Sequence, residues 1–199
     1  MPKSKIKDKE LIKAKQNDIC VAAERLFAEK GYHNTSIREI AEQSKISVGS
    51  LYDYIDNKED ILFMLSRRFH SEIVKEVLKV LNSDFGVIQE LKGTIETTLR
   101  VIDRFQEYVL FTYRDSKMLK KEDLIALLEQ ESFVTNTFTK IIKKGVEQGL
   151  FETDEPEIMA NMINVMTHSW ALKRYNLKRF SLFSFQQVLN SFVLNGLQK

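Results

Sequence analysis

The stretch that decides the fold is TSIREIAEQSKISVGSLYDYIDNKEDIL, residues 35–62. Ser36 and Glu39 have the S-x-x-E spacing of a capping box, which predicts a helix that begins just after Ser36. Ser47 is suited to cap a second short helix, and Asn57 is suited to cap a third. Three capped starts so close together predict short helices that are joined by tight turns.

Helical periodicity extends from this stretch in both directions. Before it, an apolar helix face precedes Gly31, a typical C-cap; its members are Ile19, Ala22, Ala23, Leu26 and Phe27. After it, a long amphipathic helix is predicted from Lys58 to about Leu81. The two short helices, connected at Lys45–Ile46, would pack on the first helix as a helix-turn-helix, and the second would carry Leu51, Tyr52 and Tyr54.

The rest of the chain is also helical in pattern. Apolar residues recur at helical spacing over about 86–114, 122–148, 155–176 and 184–197, and no stretch has the alternation of a strand. Seven glycines and two prolines leave few helix breakers. We therefore expect an all-α fold with two domains. Residues 1–57 would form a basic arm and the helix-turn-helix, and residues 58–199 a larger helical domain.

Composition and charge limit the class of protein. Hydrophobic residues make up 43% of the 199, enough for a packed core, and the net charge is only +2. Positive charge is concentrated at the start, where residues 1–16 hold six lysines and two acids. This segment is either an arm that contacts DNA phosphates or a solubilising, disordered terminus.

Cysteine usage and the N-terminal segment bear on localisation. Cys20 is the only cysteine, so no intrachain disulfide can form, and we expect a buried structural thiol in a reducing compartment. The Lys-rich start lacks the apolar core of a signal peptide, and no apolar run is long enough to span a bilayer. A cytoplasmic protein with no membrane partner is therefore predicted.

Four motifs together resemble the DNA-binding domain of TetR (tetracycline-repressor-like) regulators. They are FAEKGY (27–32), TSIREIA (35–41), ISVGSLY (46–52) and NKEDIL (57–62). The resemblance implies a nine-helix transcriptional repressor that binds a palindromic operator as a homodimer. It also implies that the last two helices of each subunit pair in a four-helix bundle, and that the larger domain binds an effector.

The resemblance assigns DNA-binding roles to individual residues. Phosphate contacts are implied for Tyr52 and Lys58, with Thr35 and Ser36 at a helix start. Contacts to bases or to the groove wall are implied for Arg38, Val48, Gly49 and Tyr54, with Ser47 and Ser50 nearest the DNA backbone. The small side chains of residues 47–50 also suit a helix end that must enter a major groove about 12 Å wide.

Some of these positions carry an alternative interpretation. Val48 stands where polar or basic side chains are frequent in the family, and it offers only a methyl contact, for example to thymine. Asp53 places an acid near the DNA, which weakens binding unless it accepts from a cytosine amino group or pairs with a cation. Tyr54 is equally suited to packing alone, and Ile37, Ile40, Ala41 and Leu51 are expected in the core.

Aromatic and methionine side chains of the larger domain suit a lipophilic effector, although any helical core needs such residues. The candidates are Phe105, Tyr108, Phe111, Phe133, Met162, Met166, Trp170 and Arg174. The segment Trp170–Phe180 resembles, more weakly, the end of the penultimate helix in TetR-family regulators that sense fatty-acyl-CoA thioesters. That resemblance implies an acyl chain beside Trp170 and an anionic head near Arg174. Cations at a helix end are also expected without a ligand, because they complement the helix dipole.

Sequence motifs of enzymes and metal sites are missing. The three histidines, His33, His70 and His168, are scattered and form no metal motif, and no phosphate loop or nucleophile elbow is present. We therefore expect no catalysis, no metal and no cofactor. A structural helical dimer, a DNA-binding dimer without effector, and a regulator of a drug-efflux gene that senses an uncharged lipophile remain the alternatives.

Overall fold

The computed structural model describes residues 9–83, 85–114 and 121–198, which form ten helices and no strand. The helices are α1 (Lys9–Lys30), α2 (Ile37–Gln43), α3 (Val48–Leu51), α4 (Lys58–Leu81), α5 (Val87–Arg104), α6 (Gln106–Arg114), α7 (Lys121–Glu147), α8 (Pro156–Leu172), α9 (Arg174–Leu177) and α10 (Leu182–Leu197). The all-α fold class is confirmed. One helix more than the expected nine is present over these residues, because the four-residue α9 follows α8.

Three local expectations need correction. Residues 9–16 of the predicted basic arm are the first turns of α1, since Leu11, Ile12 and Ala14 continue its helical pattern; residues 1–8 lie outside the described residues. The segment 86–114 is two helices that are separated at Phe105. The second helix of the helix-turn-helix ends at Leu51, so Tyr52 and Tyr54 lie in the turns that follow it.

The described chain packs as two compact units. The first consists of the residues up to Arg68 together with Phe105–Leu124, and the second consists of Phe69–Arg104 together with the residues from Ile125 onward. Helix α4 is continuous and contributes residues to both. The division of function at residues 57 and 58 stays a prediction.

In the first unit, α2 packs against α1 and α3, and α6 packs against α1. The core includes Ile19, Ala23, Phe27, Ile40 and Leu51, which are each at most 1% exposed. Cys20 belongs to this core, and its burial raises the pKa of the thiol to about 12. Cys20 is therefore the unreactive structural thiol that we expected.

In the second unit, α5 packs against α8 and α10. Polar side chains are frequent in this interior, among them Thr94, Thr97, Thr98, Asn164, Thr167 and His168. Within the described ranges, no helix combines the length and the apolarity that a bilayer crossing requires.

Burial of His168 makes the stability of the second unit depend on pH. Desolvation lowers the pKa of the imidazole from 6.5 to about 4, so the folded chain holds it neutral while the unfolded chain protonates it more readily. The free energy of unfolding is therefore complete above pH 6.5 and falls as the pH drops toward 4, by about 3 kcal/mol in total. Urea denaturation across this window should show a steeper loss for the wild type than for His168→Gln. Equal slopes would contradict a neutral, desolvated imidazole.

Candidate nucleic-acid interface and effector site

Hydrogen bonds within the connection between α1 and α2 fix its conformation. Gly31 ends α1 with φ of +82°, and its amide donates to the Phe27 carbonyl at 2.7 Å. The Thr35 hydroxyl lies 2.9 Å from the Gly31 carbonyl oxygen, and Thr35 is only 2% exposed. The prediction of a DNA contact by the Thr35 side chain is therefore corrected, because that side chain is enclosed and holds the loop.

The capping box at the start of α2 is formed as the sequence predicts. The Glu39 amide donates to Ser36 Oγ at 3.3 Å, and the Ser36 amide donates to Glu39 Oε2 at 2.8 Å. Lys30 also donates to the Glu39 carboxylate. The hydrogen bond from Lys30 has the largest effect on the pKa of Glu39, and those from Ser36 come next. Together they lower this pKa to about 2. Ser36 itself stays exposed, as does Arg38 one residue into the helix.

The turn between α2 and α3 is held by backbone hydrogen bonds. The Ile46 amide donates to the Ala41 carbonyl at 3.0 Å, and the Lys45 amide donates to the Glu42 carbonyl at 3.0 Å. Lys45 has φ of +57°, the left-handed conformation that a lysine rarely adopts. The predicted tight connection is confirmed, and it sets α3 close against α2.

Helix α3 presents the small residues of the predicted interface to solvent. Ser47 caps it by accepting from the Ser50 amide at 3.0 Å, and Leu51 anchors it in the core. Ser47, Gly49 and Ser50 are exposed, and Val48 and Tyr52 are 38% and 48% exposed. A slender end with one exposed aromatic hydroxyl beside it is a surface that fits a major groove and its phosphates.

Tyr54 does not share this surface. It is 5% exposed and lies between Leu51 and the start of α4, with its amide donating to the Leu51 carbonyl at 2.9 Å. The packing alternative for Tyr54 therefore describes the structure, and a contact with the bases does not. Its burial follows from the turns after Leu51, which direct residues 54 and 55 into the core.

The side chains of Asn57 and Asp60 both cap the start of α4. Asn57 Oδ1 accepts from the Asp60 amide at 3.0 Å, while Asp60 Oδ2 accepts from the amides of Asp56 and Asn57 at 2.7 and 3.1 Å. The predicted cap is confirmed. Asp60 extends it, since a carboxylate at a helix start interacts favourably with the dipole.

Tyr32 links Lys58 to the rest of the first unit, a role that sequence inspection missed. The ammonium of Lys58 donates to the Tyr32 carbonyl and lies 4.1 Å from the centroid of the Tyr32 ring. Tyr32 donates from its hydroxyl to Glu59 at 3.1 Å, and its ring contacts Phe27 and Phe111. Partial burial lowers the pKa of Lys58. An ammonium has three donors, so this arrangement leaves Lys58 able to bind a phosphate.

The predicted effector residues fall in both compact units. Phe105, Tyr108 and Phe111 are buried in the first unit, at 2%, 6% and 2% exposure. Phe133, Met166 and Trp170 lie in the second unit with partial or full burial, and Arg174 is exposed there. Trp170 is held by its indole N–H, which donates to Asp103 at 2.7 Å, and its ring packs on Phe185 at 5.2 Å.

Met162 is the exception among these candidates. It is 52% exposed on α8, in line with Ile158 and Val165, which are 57% and 53% exposed. The spacing of three and four residues places all three on one outer face of the helix. The assignment of Met162 to an effector site is therefore corrected to a surface position.

The second unit contains buried polar atoms that sequence inspection did not predict. His70 Nδ1, Thr98 Oγ1 and Asn164 Oδ1 are buried without a hydrogen-bond partner among the described residues. Asn164 does donate to Thr135 Oγ1 at 3.3 Å, which joins α8 to α7. Buried polar atoms are usually paired, so these three distinguish the interior of the second unit from an ordinary apolar core.

Comparison with known proteins assigns this arrangement to a class. The family model described as "Bacterial regulatory proteins, tetR family" matches residues 19–65, and "Tetracyclin repressor-like, C-terminal domain" matches residues 86–172. The two matches cover the helix-turn-helix and most of the second unit. They define a DNA-binding transcriptional regulator rather than an enzyme.

Individual relatives agree with this class. The HTH-type transcriptional regulator HbdR of Aromatoleum sp. (strain CIB) is 26% identical over 181 residues, 90% of this chain and 79% of the relative. The fatty acid metabolism regulator protein of Bacillus subtilis (strain 168) is 34% identical over 135 residues, 68% of this chain and 70% of the relative. The solved structure of AibR in complex with isovaleryl coenzyme A and operator DNA has a TM-score of 0.74 at 20% identity, covering 89% of this chain and 97% of that one. The chain belongs to the TetR family of bacterial transcriptional regulators.

Proposed function

We propose that this regulator binds a pseudo-palindromic operator as a homodimer and that a long-chain acyl-CoA thioester releases it. The observation that carries the effector assignment is the exposed basic and aromatic surface at the end of α8 and around α9. DNA contact is assigned to the exposed side chains of the first unit, namely Ser36, Arg38, Ser47, Val48, Gly49, Ser50 and Tyr52, together with Lys58.

An uncovered apolar face supports the homodimer. We call the α8–α10 apolar face the set Ile158, Met162, Val165, Val188 and Phe192, which are each at least 52% exposed. These side chains lie on two helices that pack against each other. Exposed apolar patches of this kind mark interaction surfaces, and a two-fold pairing of the last long helices would bury this one. Two recognition surfaces would then meet half-sites about one helical turn apart.

The basic surface at the end of α8 supports an anionic ligand. The segment 173–179 contains no acidic residue and four basic ones, all exposed: Lys173, Arg174, Lys178 and Arg179. Tyr175 is 82% exposed, with the Lys178 ammonium 4.9 Å from its ring centroid. Cations bind phosphate groups, and an exposed aromatic ring stacks on a base, so this surface suits the nucleotide part of coenzyme A.

The apolar part of the same ligand has a counterpart on the inner side of α8. Trp170 is fixed by Asp103 and lies one turn before Arg174, beside a half-buried Met166. An acyl chain that entered here would pack against the apolar parts of Trp170 and Met166. The ligand would join an apolar interior to a cationic surface, which matches the two parts of an acyl-CoA.

Helix α4 provides a route by which ligand and DNA can influence each other. It runs without interruption from Lys58, next to the proposed phosphate contact, to Leu81 in the second unit, a length of about 36 Å. A small tilt at either end would displace the other and change the separation of the two recognition surfaces. Coupling of about 1–3 kcal/mol would change operator affinity roughly 5- to 150-fold, and DNA would weaken ligand binding by the same factor.

Titration of a preformed protein–operator complex with palmitoyl-CoA tests this proposal. We expect the ligand to release DNA and to raise the thermal midpoint of the free protein, because it binds the folded state. Arg174→Ala should require at least about tenfold more palmitoyl-CoA, since one charge-assisted hydrogen bond is worth roughly 1.5–3 kcal/mol. Lys140→Ala, which removes an exposed cation from α7, is the matched control.

The outcomes separate the parts of the proposal. If palmitoyl-CoA neither releases DNA nor stabilises the protein, while an uncharged lipophile does both, the acyl-CoA assignment is wrong and the regulator senses another lipophile. If no ligand of either kind acts, an effector-free regulator is favoured. Failure to find any bound operator among genomic fragments would contradict the proposed mode of DNA binding itself.

A further inference from the structure

The second unit carries a polar groove of about 700 Å³ that the proposed function does not use. Its walls come from the end of α4, the segment around the start of α5, and one side of α10 with the residue that follows it. It falls within the range of 300–1,000 Å³ typical of small-molecule sites. Its chemistry differs from that of the basic surface near Arg174.

The lining of the groove is rich in carboxamides. Six of them face it, namely Gln89, Gln186, Gln187, Asn190, Asn195 and Gln198. Lys92 and Glu96 contribute one charge of each sign, so the lining has no net charge. Each carboxamide offers a donor and an acceptor, the combination that complements hydroxyl groups.

Asn190 provides the groove with a buried acceptor. The residue is only 8% exposed, and its Oδ1 has no hydrogen-bond partner among the described residues. A buried amide oxygen that stays unpaired is unfavourable, so a ligand that donates a hydrogen bond to it would be favoured. Gln186, on the preceding turn of α10, is also 8% exposed and lines the same groove.

The shape of the groove depends on Gly93. A Cβ at this position would lie 2.8 Å from Val80 Cγ1, closer than side chains approach each other. Glycine therefore allows α5 to approach α4 at the edge of the groove. Phe85, which is 59% exposed, adds an aromatic surface at the same edge.

The groove is separate from the proposed acyl-CoA site. Asp103 holds Trp170 near the end of α5, while the groove contacts α5 at Gln89, Lys92, Gly93 and Glu96. At 1.5 Å per residue, these positions lie about 10–21 Å along the helix from Asp103. An acyl chain beside Trp170 would therefore not occupy the groove.

We propose that this groove is a second ligand site, which takes an uncharged polyhydroxylated molecule of mono- to disaccharide size. Hydroxyl groups donate to Asn190 Oδ1 and exchange hydrogen bonds with the surrounding carboxamides, while the apolar face of a sugar ring packs on Phe85. This inference does not depend on the acyl-CoA proposal, because it involves neither the basic surface nor Trp170.

Calorimetry and saturation-transfer NMR with glucose, maltose and trehalose test the site on the full-length protein. We expect at least one of them to bind with a dissociation constant of about 1 mM or tighter. Asn190→Leu keeps the side-chain volume but removes the amide, and it should weaken that binding at least tenfold. Asn136→Leu, which removes an exposed carboxamide of α7 away from the groove, should have no effect.

A second variant protects the test against loss of folding. Gln187 is exposed, so Gln187→Trp should fill the groove and abolish sugar binding. The circular dichroism spectrum and the oligomeric state should stay unchanged. The proposal is overturned if none of the three sugars binds at about 10 mM, or if Asn190→Leu binds as well as the wild type. Loss of the dimer by Gln187→Trp would also overturn it, since the groove would then belong to the subunit contact. Palmitoyl-CoA titration of the same variants distinguishes failure of this site from failure of the proposed function.

Discussion

Gly49→Glu should strongly weaken specific operator binding and leave the fold intact. Gly49 is exposed on α3, and a Cβ there would meet only Ser47 Oγ, at an ordinary distance of 3.8 Å. The added carboxylate would enter the groove and face acceptors and phosphates in both half-sites. Unfavourable base contacts cost about 1–3 kcal/mol each, so two of them predict a loss of about 30-fold or more. Gel shift at fixed salt concentration measures it.

The control for this variant carries the same change in charge. Gln148→Glu lies in the exposed turn after α7, in the second unit, and should bind the operator within about twofold of the wild type. Gly49→Ala adds a methyl group without charge and should lose less affinity than Gly49→Glu. Undiminished binding by Gly49→Glu, at an unchanged thermal midpoint, would show that α3 is not the element that enters the groove.

Phe192→Glu should convert the proposed homodimer to a monomer. Phe192 is 65% exposed in the protomer, so its replacement removes little from the core. In a two-fold pairing the substitution would remove the burial of Phe192 from both subunits, at about 1.5–3 kcal/mol each. It would also bury a carboxylate in place of each ring. The dimer should weaken by about three orders of magnitude or more. Light scattering should then report 23.2 kDa rather than twice that mass.

DNA affinity should fall together with the dimer, because one recognition surface reaches only one half-site. Leu78→Glu is the control, since Leu78 is an exposed apolar residue of α4, 42% exposed, outside the α8–α10 apolar face. It should keep the mass of the wild type. A dimeric Phe192→Glu protein would place the subunit contact on another surface and would refute the pairing proposed here.

The family resemblance and the local structure were accessible from sequence because they depend on neighbours along the chain. Caps at Ser36 and Asn57 are hydrogen bonds between residues three apart, so their spacing in the sequence is their geometry. Helix α4 begins and ends where its cap and apolar period predict, at Lys58 and Leu81. The same signals predicted the turn at Lys45–Ile46 and the buried position of Leu51.

The candidate site could be predicted only in part, because the sequence of a helix does not determine which of its apolar residues are buried by other helices. Met162, Ile158 and Trp170 are all apolar residues of α8, yet the first two are exposed and Trp170 is 7% exposed. Their period places them on the helix, but only packing against α5 and α10 decides which of them turn inward. Sequence alone therefore assigned Met162 to an effector site although it lies on the outer face.

Tertiary structure also decided which residues of the helix-turn-helix remain free to meet DNA. Thr35 and Tyr54 stand in the matching motif region but are enclosed, because the loops around them fold onto α1 and α3. Tyr32 joins Lys58, Glu59 and Phe111, which are 26 to 79 positions away, and no local pattern predicts such contacts. The sequence by itself determined most of the helices, the caps at Ser36, Ser47 and Asn57, and the family. Burial, and with it the choice of exposed side chains, was decided by contacts between residues far apart in the chain, where the hydrophobic effect acts on the assembled surface.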